Sequence, residues 1–194
     1  MAILQPRIIL GFPDLNNVGC KLLDRIRTAN DSELEVANGK VRVRNAGDTS
    51  VVYVPSLDSQ TKTTTLISSL ISLLSASKIQ EITILANVNT NLIDEKVYSI
   101  NVNDAEINPV IRSHILNVLI TLLKVEGIPT TCLLFPGKRV SGRGRFLHEV
   151  KIMKALADTL GKLMIDIDID IDGITDEADI DEAVTATTDH MMYM

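Results

Sequence analysis

Twelve residues late in the chain carry the spacing most suggestive of chemistry. From Asp168 the sequence reads DIDIDGITDEAD, with acids at positions 1, 3, 5, 9 and 12 around Gly173 at position 6. Calcium loops space their oxygen ligands in this way and use glycine for the sharp turn. Position 12, however, is Asp179 rather than a longer, bidentate glutamate, and position 8 is Thr175 rather than an apolar residue. The lead-in MIDIDIDI alternates with period two, which suits extended chain and not an entering helix. A calcium-binding interaction module spanning Asp168 to Asp179 is thus an alternative; an acidic tether held extended by like charges is preferred, and no metal site is expected.

Two other stretches could bind anions. GFPDLNNVG, residues 11–19, joins a strand to a helix, and the N–H groups at such a turn can cradle phosphate. It is neither GxGxxG nor GxxxxGK[ST], so a structural turn is the simpler reading. PGKRVSGRGR, residues 136–145, sets Lys138, Arg139, Arg143 and Arg145 among three glycines. Arginine forks suit phosphate or carboxylate, although a solvated loop needs no ligand to explain it. Together the two stretches define a second alternative, a phosphorylase-like or nucleotide-binding α/β enzyme. The basic loop lacks aromatic platforms for stacking bases, so nucleic acid is not an expected partner.

Catalytic residues are not expected. The chain has no GxSxG elbow and no HExxH. His114, His148 and His190 read as core-edge or surface residues, and neither Cys20 nor Cys132 lies in an activating motif. No cofactor is implied.

With 194 residues and 45% hydrophobic content, the chain can bury a sizeable core, made aliphatic by 3% aromatics and the absence of Trp. No apolar run is long enough for a bilayer, and Pro6 and Arg7 interrupt any signal-peptide layout, so no membrane is expected. Two cysteines without CxxC spacing suit a reducing, intracellular compartment. The net charge of −6 is unevenly placed. Residues 163–194 hold ten acids and no Lys or Arg, which leaves residues 1–162 with 15 acids against 19 bases, a net of +4. A mildly basic body carries an acidic tail.

The elements that must position these stretches alternate. RIILGF (7–12) reads as a buried strand, and VGCKLLDRI as a helix. LEVANGKVRV reads as a hairpin turning at Asn38-Gly39, and VVYVP (51–55) as a strand. From Lys62 to Ser77, Leu66, Ile67, Leu70, Ile71 and Leu74 share one helical face. EITILANV (81–88) and KVYSINV (96–102) read as strands. Pro109 suits a helix start, followed by helix from Val110 to Glu126 and a stop at Gly127-Ile128-Pro129. TTCLLFP (130–136) is a strand, and a last helix runs from about Phe146 to Lys162. This order predicts an α/β layered domain with a largely parallel or mixed sheet flanked by helices, closing near residues 162–170.

IILGFPDLNNVGCKLLDRI, taken with the αβ order after it, resembles the proteasome assembly chaperone family. Its members open with a strand, a turn close to G-F-P-x-x-x-x-V-G, and a helix; here the pattern falls on Gly11, Phe12, Pro13, Val18 and Gly19. The resemblance spans about residues 6–165, including the helix-G-I-P-strand unit from Val110 to Phe135. The glycine turn is more similar to the second subunit of the eukaryotic heterodimer, or to an archaeal-type homologue, than to the first subunit. The sequence closes on Met192-Tyr193-Met194, similar to the hydrophobic-Tyr-X endings of members that cap the proteasome core.

The resemblance implies a chaperone domain over 1–165 and an acidic tether over 166–194 that ends in a docking motif. It implies a non-catalytic function in assembly of the 20S core, in the cytoplasm or nucleus. The chain would dimerise with a related subunit, bind the outer face of the α-ring, and insert Met192, Tyr193 and Met194 between α-subunits. An apolar side chain and a tyrosine ring would fill a groove there, with a pocket lysine for the carboxylate. The ID-repeat departs from the family pattern.

Overall fold

A computed structural model describes residues 3–28, 30–36, 39–104, 109–137, 144–164 and 167–170, with side chains left out at 144–146. Apolar strands separated by helical segments fold as one seven-stranded mixed sheet with helices on both faces. The strands are β1 (Arg7–Gly11), β2 (Asn30–Val36), β3 (Gly39–Ala46), β4 (Thr49–Tyr53), β5 (Glu81–Val88), β6 (Tyr98–Asn101) and β7 (Thr130–Pro136). The helices are α1 (Val18–Asp24), α2 (Gln60–Ala76), α3 (His114–Glu126) and α4 (Gly144–Leu163). The strand order is β2-β3-β4-β1-β5-β7-β6. The central β4, β1, β5 and β7 run parallel, while β2, β3 and β6 are antiparallel to their neighbours.

Burial explains which strands sit centrally. A strand covered on both faces must be largely apolar, and the buried stretches of β1 and β5, residues 8–10 and 82–88, are, with Thr83 and Asn87 as the buried polar exceptions. Ile8, Leu10, Ile82, Ile84, Ala86 and Val88 join the core beneath α2 and α3, whereas Ile9 and Leu85 join the core beneath α1 and α4. The β2–β3 hairpin buries only one face, through Leu34, Val41 and Val43. On its other face the register opposes Asp31 to Arg44, Glu33 to Arg42 and Glu35 to Lys40. Opposed charges stabilise such a pair, and the charged edge discourages adventitious strand pairing.

Helix α2 buries Leu66, Ile67, Leu70, Ile71 and Leu74, the face expected from their spacing, and Ser59 caps it by accepting the Lys62 N–H at 3.2 Å. The α3 start departs from expectation: the helix begins at His114, not after Pro109. Residues 110–112 are taken up in pairing to the loop after β5. Ile111 bridges Thr90, the Arg112 N–H donates to the Asn89 carbonyl at 2.9 Å, and Val110 donates to Asn91 Oδ1 at 2.8 Å. Ser113 then caps the helix through the Leu116 N–H. Gly127, left-handed at φ 66°, ends it.

The first described residues of the acidic segment lie against the body. Ile169 bridges Ile26 antiparallel, the Arg27 N–H donates to the Asp168 carbonyl, and the Asp170 N–H donates to the Arg25 carbonyl, both at 2.9 Å. Ile167 and Ile169 pack on the core beneath α1 and α4, while Asp168 faces out to Arg27 at 3.1 Å. Period-two alternation has this consequence: Ile167 and Ile169 inward, Asp168 outward.

Candidate functional site

In open α/β sheets, sites gather at the carboxyl ends of parallel strands. Here that edge is built by the turn after β1, the end of β5 and the exit from β7. The turn's residues are set by close packing. A Cβ on Gly11 would lie 2.6 Å from Leu23 Cδ1, and one on Gly19 would lie 2.9 Å from the Leu85 carbonyl oxygen. Phe12 is fully buried beneath α2 and α3, and Val18 beneath α1 and α4. Pro13 is half-buried between them. A single 3-10 turn over Leu15–Asn17 places both Asn16 (φ 64°) and Asn17 (φ 60°) in the left-handed region, which asparagine tolerates better than most residues.

The centre of this arrangement is Asp14. Its Oδ2 accepts the N–H of Asn87, on β5, at 2.7 Å and the N–H of Gly19, on α1, at 3.2 Å. The side chain thus ties helix to strand across 73 residues of sequence. The same edge is closed by Asn87, fully buried, whose Nδ2 donates to the Leu15 carbonyl at 3.0 Å. Gly137 is required beside it, since a Cβ there would lie 1.9 Å from Asn87 Oδ1. Burial pushes the Asp14 carboxyl up to about 7, against the opposing pull of the backbone N–H donors. An acid therefore occupies the helix start that a phosphate would need, and takes the Gly19 N–H. The glycine turn is built for packing and not for an anion.

Around this centre lie groups with other commitments. Lys21 of α1 pairs with the buried Glu149 of α4. His148 is half-buried and borders a small cleft of about 70 Å³ with Asn89, Leu92, Ile93, Pro136 and Gly137. His114 lies away from it, at the start of α3, with Nε2 3.1 Å from Thr64 Oγ1 beside a groove of about 280 Å³. Both cysteines are free, and burial pushes the thiols of Cys20 and Cys132 to about 12, so neither is a thiolate nucleophile near neutrality. On the sheet face beyond α1, Arg42 and Arg44 lie 5.0 and 5.3 Å from the Tyr53 ring, and the Tyr53 hydroxyl donates to Asp24 at 3.0 Å.

Of the residues the sequence singles out, Gly11, Phe12, Pro13, Val18 and Gly19 are brought together in this turn. Met192, Tyr193 and Met194 lie outside the described residues, as do Lys138, Arg139, Arg143, the side chain of Arg145, and Asp172 to Asp179. Among the described residues no group of three or more His, Cys, Asp or Glu is placed to hold a metal ion. No helix among them is long and apolar enough to cross a membrane. Sequence reasoning passes over Asp14 and Asn87. The one available signal is Asn87 near the end of the largely apolar run EITILANV.

No family model matches the chain, and no curated protein matches its sequence. Solved structures match along its whole length. PbaA of Pyrococcus furiosus, an archaeal homologue of proteasome-assembly chaperone, aligns with a TM-score of 0.66 and 10% identity over 100% of this chain and 91% of its own. PbaB of the same organism, an archaeal proteasome activator, aligns at 0.63 and 13% identity over 97% and 95%. A Mycobacterium tuberculosis proteasome-assembly chaperone homologue aligns at 0.58 and 11% over 93% and 94%. The chain shares their fold. At this level of identity the likeness establishes the architecture, a mixed seven-stranded sheet between two pairs of helices, over nearly the full length of both partners.

Proposed function

We propose that this chain is a non-catalytic chaperone of 20S proteasome assembly. One observation carries the reading: its fold aligns end to end with structures described as proteasome-assembly chaperone homologues and a proteasome activator. In this reading the body, residues 1–165, dimerises with a related subunit and docks on the outer face of the α-ring, in the cytoplasm or nucleus. Residues 166–194 form an acidic segment whose residues 167–170 lie against the body and whose remainder is the tether that delivers Met192, Tyr193 and Met194 to a pocket between α-subunits. A tether costs little in loop-closure entropy and raises the effective concentration of the second contact once the body is bound. An anion-binding enzyme centred on the glycine turn is disfavoured by the Asp14 carboxyl, which already takes the Gly19 and Asn87 N–H groups there.

The test is co-purification with proteasome core precursors, comparing the full chain, a chain lacking residues 192–194, and Tyr193→Ala. Both variants should lose most of the capture while retaining the dimer. A further variant with residues appended after Met194 separates a motif that must close the chain from one read internally. Equal capture by the full chain, the truncation and Tyr193→Ala removes the docking segment from the proposal; no capture by the full chain removes the chaperone reading.

A further inference from the structure

Two strained residues and two sealed polar atoms meet in the turn after β1. Asn16 and Asn17 are consecutive left-handed residues without being glycine. Asp14 Oδ1 and Asn16 Nδ2 are both buried with no hydrogen-bond partner. Since Asp14 Oδ2 already accepts two N–H bonds, a proton on this carboxyl belongs on Oδ1. Ionisation would spread negative charge over both oxygens, of which Oδ1 is buried without a hydrogen-bond donor, a costly state in a low-dielectric setting.

No described cation compensates. On α1, Cys20 is held as a thiol and Lys21 is engaged by Glu149 of α4. Also on α4, His148 Nε2 has no hydrogen-bond partner. The end of β5 offers the neutral Asn87, and the exit from β7 offers Gly137, which has no side chain. Asp24, a turn further along α1, carries the same sign as Asp14 and is occupied by Tyr53 and Arg42.

We propose that residues 13–17 form a pH-sensitive latch, closed while the Asp14 carboxyl is protonated and open once it is ionised. On opening, the proton leaves Oδ1 for solvent, the carboxylate swings into water, and both asparagines are released from the left-handed region. The Asn87 and Gly19 N–H groups lose their shared acceptor. Residues at the start of α1 become accessible at the carboxyl edge of the sheet. The raised Asp14 carboxyl, at about 7, places the transition near neutrality.

The test uses the full-length chain, with amide hydrogen exchange at Gly19 and Asn87 measured at about pH 5.5 and about pH 8.5 and corrected for intrinsic rates. Protection of both amides should fall by roughly tenfold or more at the higher pH in the native protein. In Asp14→Asn, which keeps an acceptor but cannot ionise, it should stay constant. Protection that is equal at the two pH values in the native protein, or that falls equally in the variant, overturns the proposal. Should Asp14→Asn fail to fold, carbon-13 titration of the native Asp14 carboxyl decides. A midpoint near 7, tracked by the Gly19 and Asn87 amides, sustains the latch; a midpoint below about 6, or amides that do not follow, overturns it.

Discussion

Gly19→Ala opposes two effects of known sign. Within a helix, alanine is favoured over glycine by about 1 kcal/mol, so α1 alone would gain. Against this, the new methyl would lie 2.9 Å from the Leu85 carbonyl oxygen and 3.2 Å from Asp14 Oδ2. Leu85 cannot retreat, because β5 is paired to β1 on one side and β7 on the other. Helix α1 must move instead, and it carries Leu22 and Leu23, both fully buried. Overpacking of this kind costs roughly 1–3 kcal/mol, and the shift also stretches the Gly19 N–H bond to Asp14. Packing wins, with a net loss of about 1–2 kcal/mol. Equilibrium urea unfolding reads this as a midpoint lowered by roughly 0.5–1 M at an ordinary slope of about 2 kcal/mol/M. Gly161→Ala is the control: it lies in α4 with nothing within 4 Å of an added Cβ, so it should show the helix gain alone. If both substitutions stabilise the protein alike, the close approach of α1 to β5 does not constrain position 19 and the reasoning fails.

Stability should fall as pH rises from about 5 to about 8 through Asp14, because its folded carboxyl sits near 7 instead of 3.8. A raised acid holds its proton more tightly in the folded state, so its contribution is full below 3.8 and lost by the time pH passes 7. Over that interval the Asp14 share is roughly 2–3 kcal/mol, seen as the difference in pH slope between native protein and Asp14→Asn in urea unfolding. Parallel slopes would show that Asp14 is not buried in its neutral form. Lys21→Met should cost roughly 1–3 kcal/mol and more than Glu149→Gln, since only the former takes a cation away from a buried carboxylate that stays charged. The reverse order in thermal unfolding would place the desolvation on the lysine.

Helix α2 shows how far local pattern reaches. Its buried face follows from the spacing of five aliphatic residues, because a 3.6-residue period leaves them one direction in which to escape water. The strands at 7–11, 81–88 and 130–136 are legible for a similar reason: largely apolar runs need cover on both faces. Pro109 misled because its neighbours Val110 to Arg112 are held by the loop after β5, about 20 residues earlier, which no helix-start rule can see. At the candidate site, Gly11 and Gly19 were readable as a turn, but the reason for them was not. It lies in Leu23 and in the Leu85 carbonyl, atoms brought alongside only when the sheet forms.

The amino-acid sequence alone determined most of the helix and strand segments, the uneven division of charge, and an α/β layered architecture. These are consequences of side-chain periodicity and of like charges repelling, and both act between residues close in sequence. Tertiary structure alone decided that Asp14, an ordinary turn residue by its neighbours, is a sealed carboxyl bonded to β5. Its proton affinity depends on burial and on the Asn87 N–H, 73 positions away. Dielectric surroundings and hydrogen-bond partners are properties of assembled space, not of the order of residues along the chain.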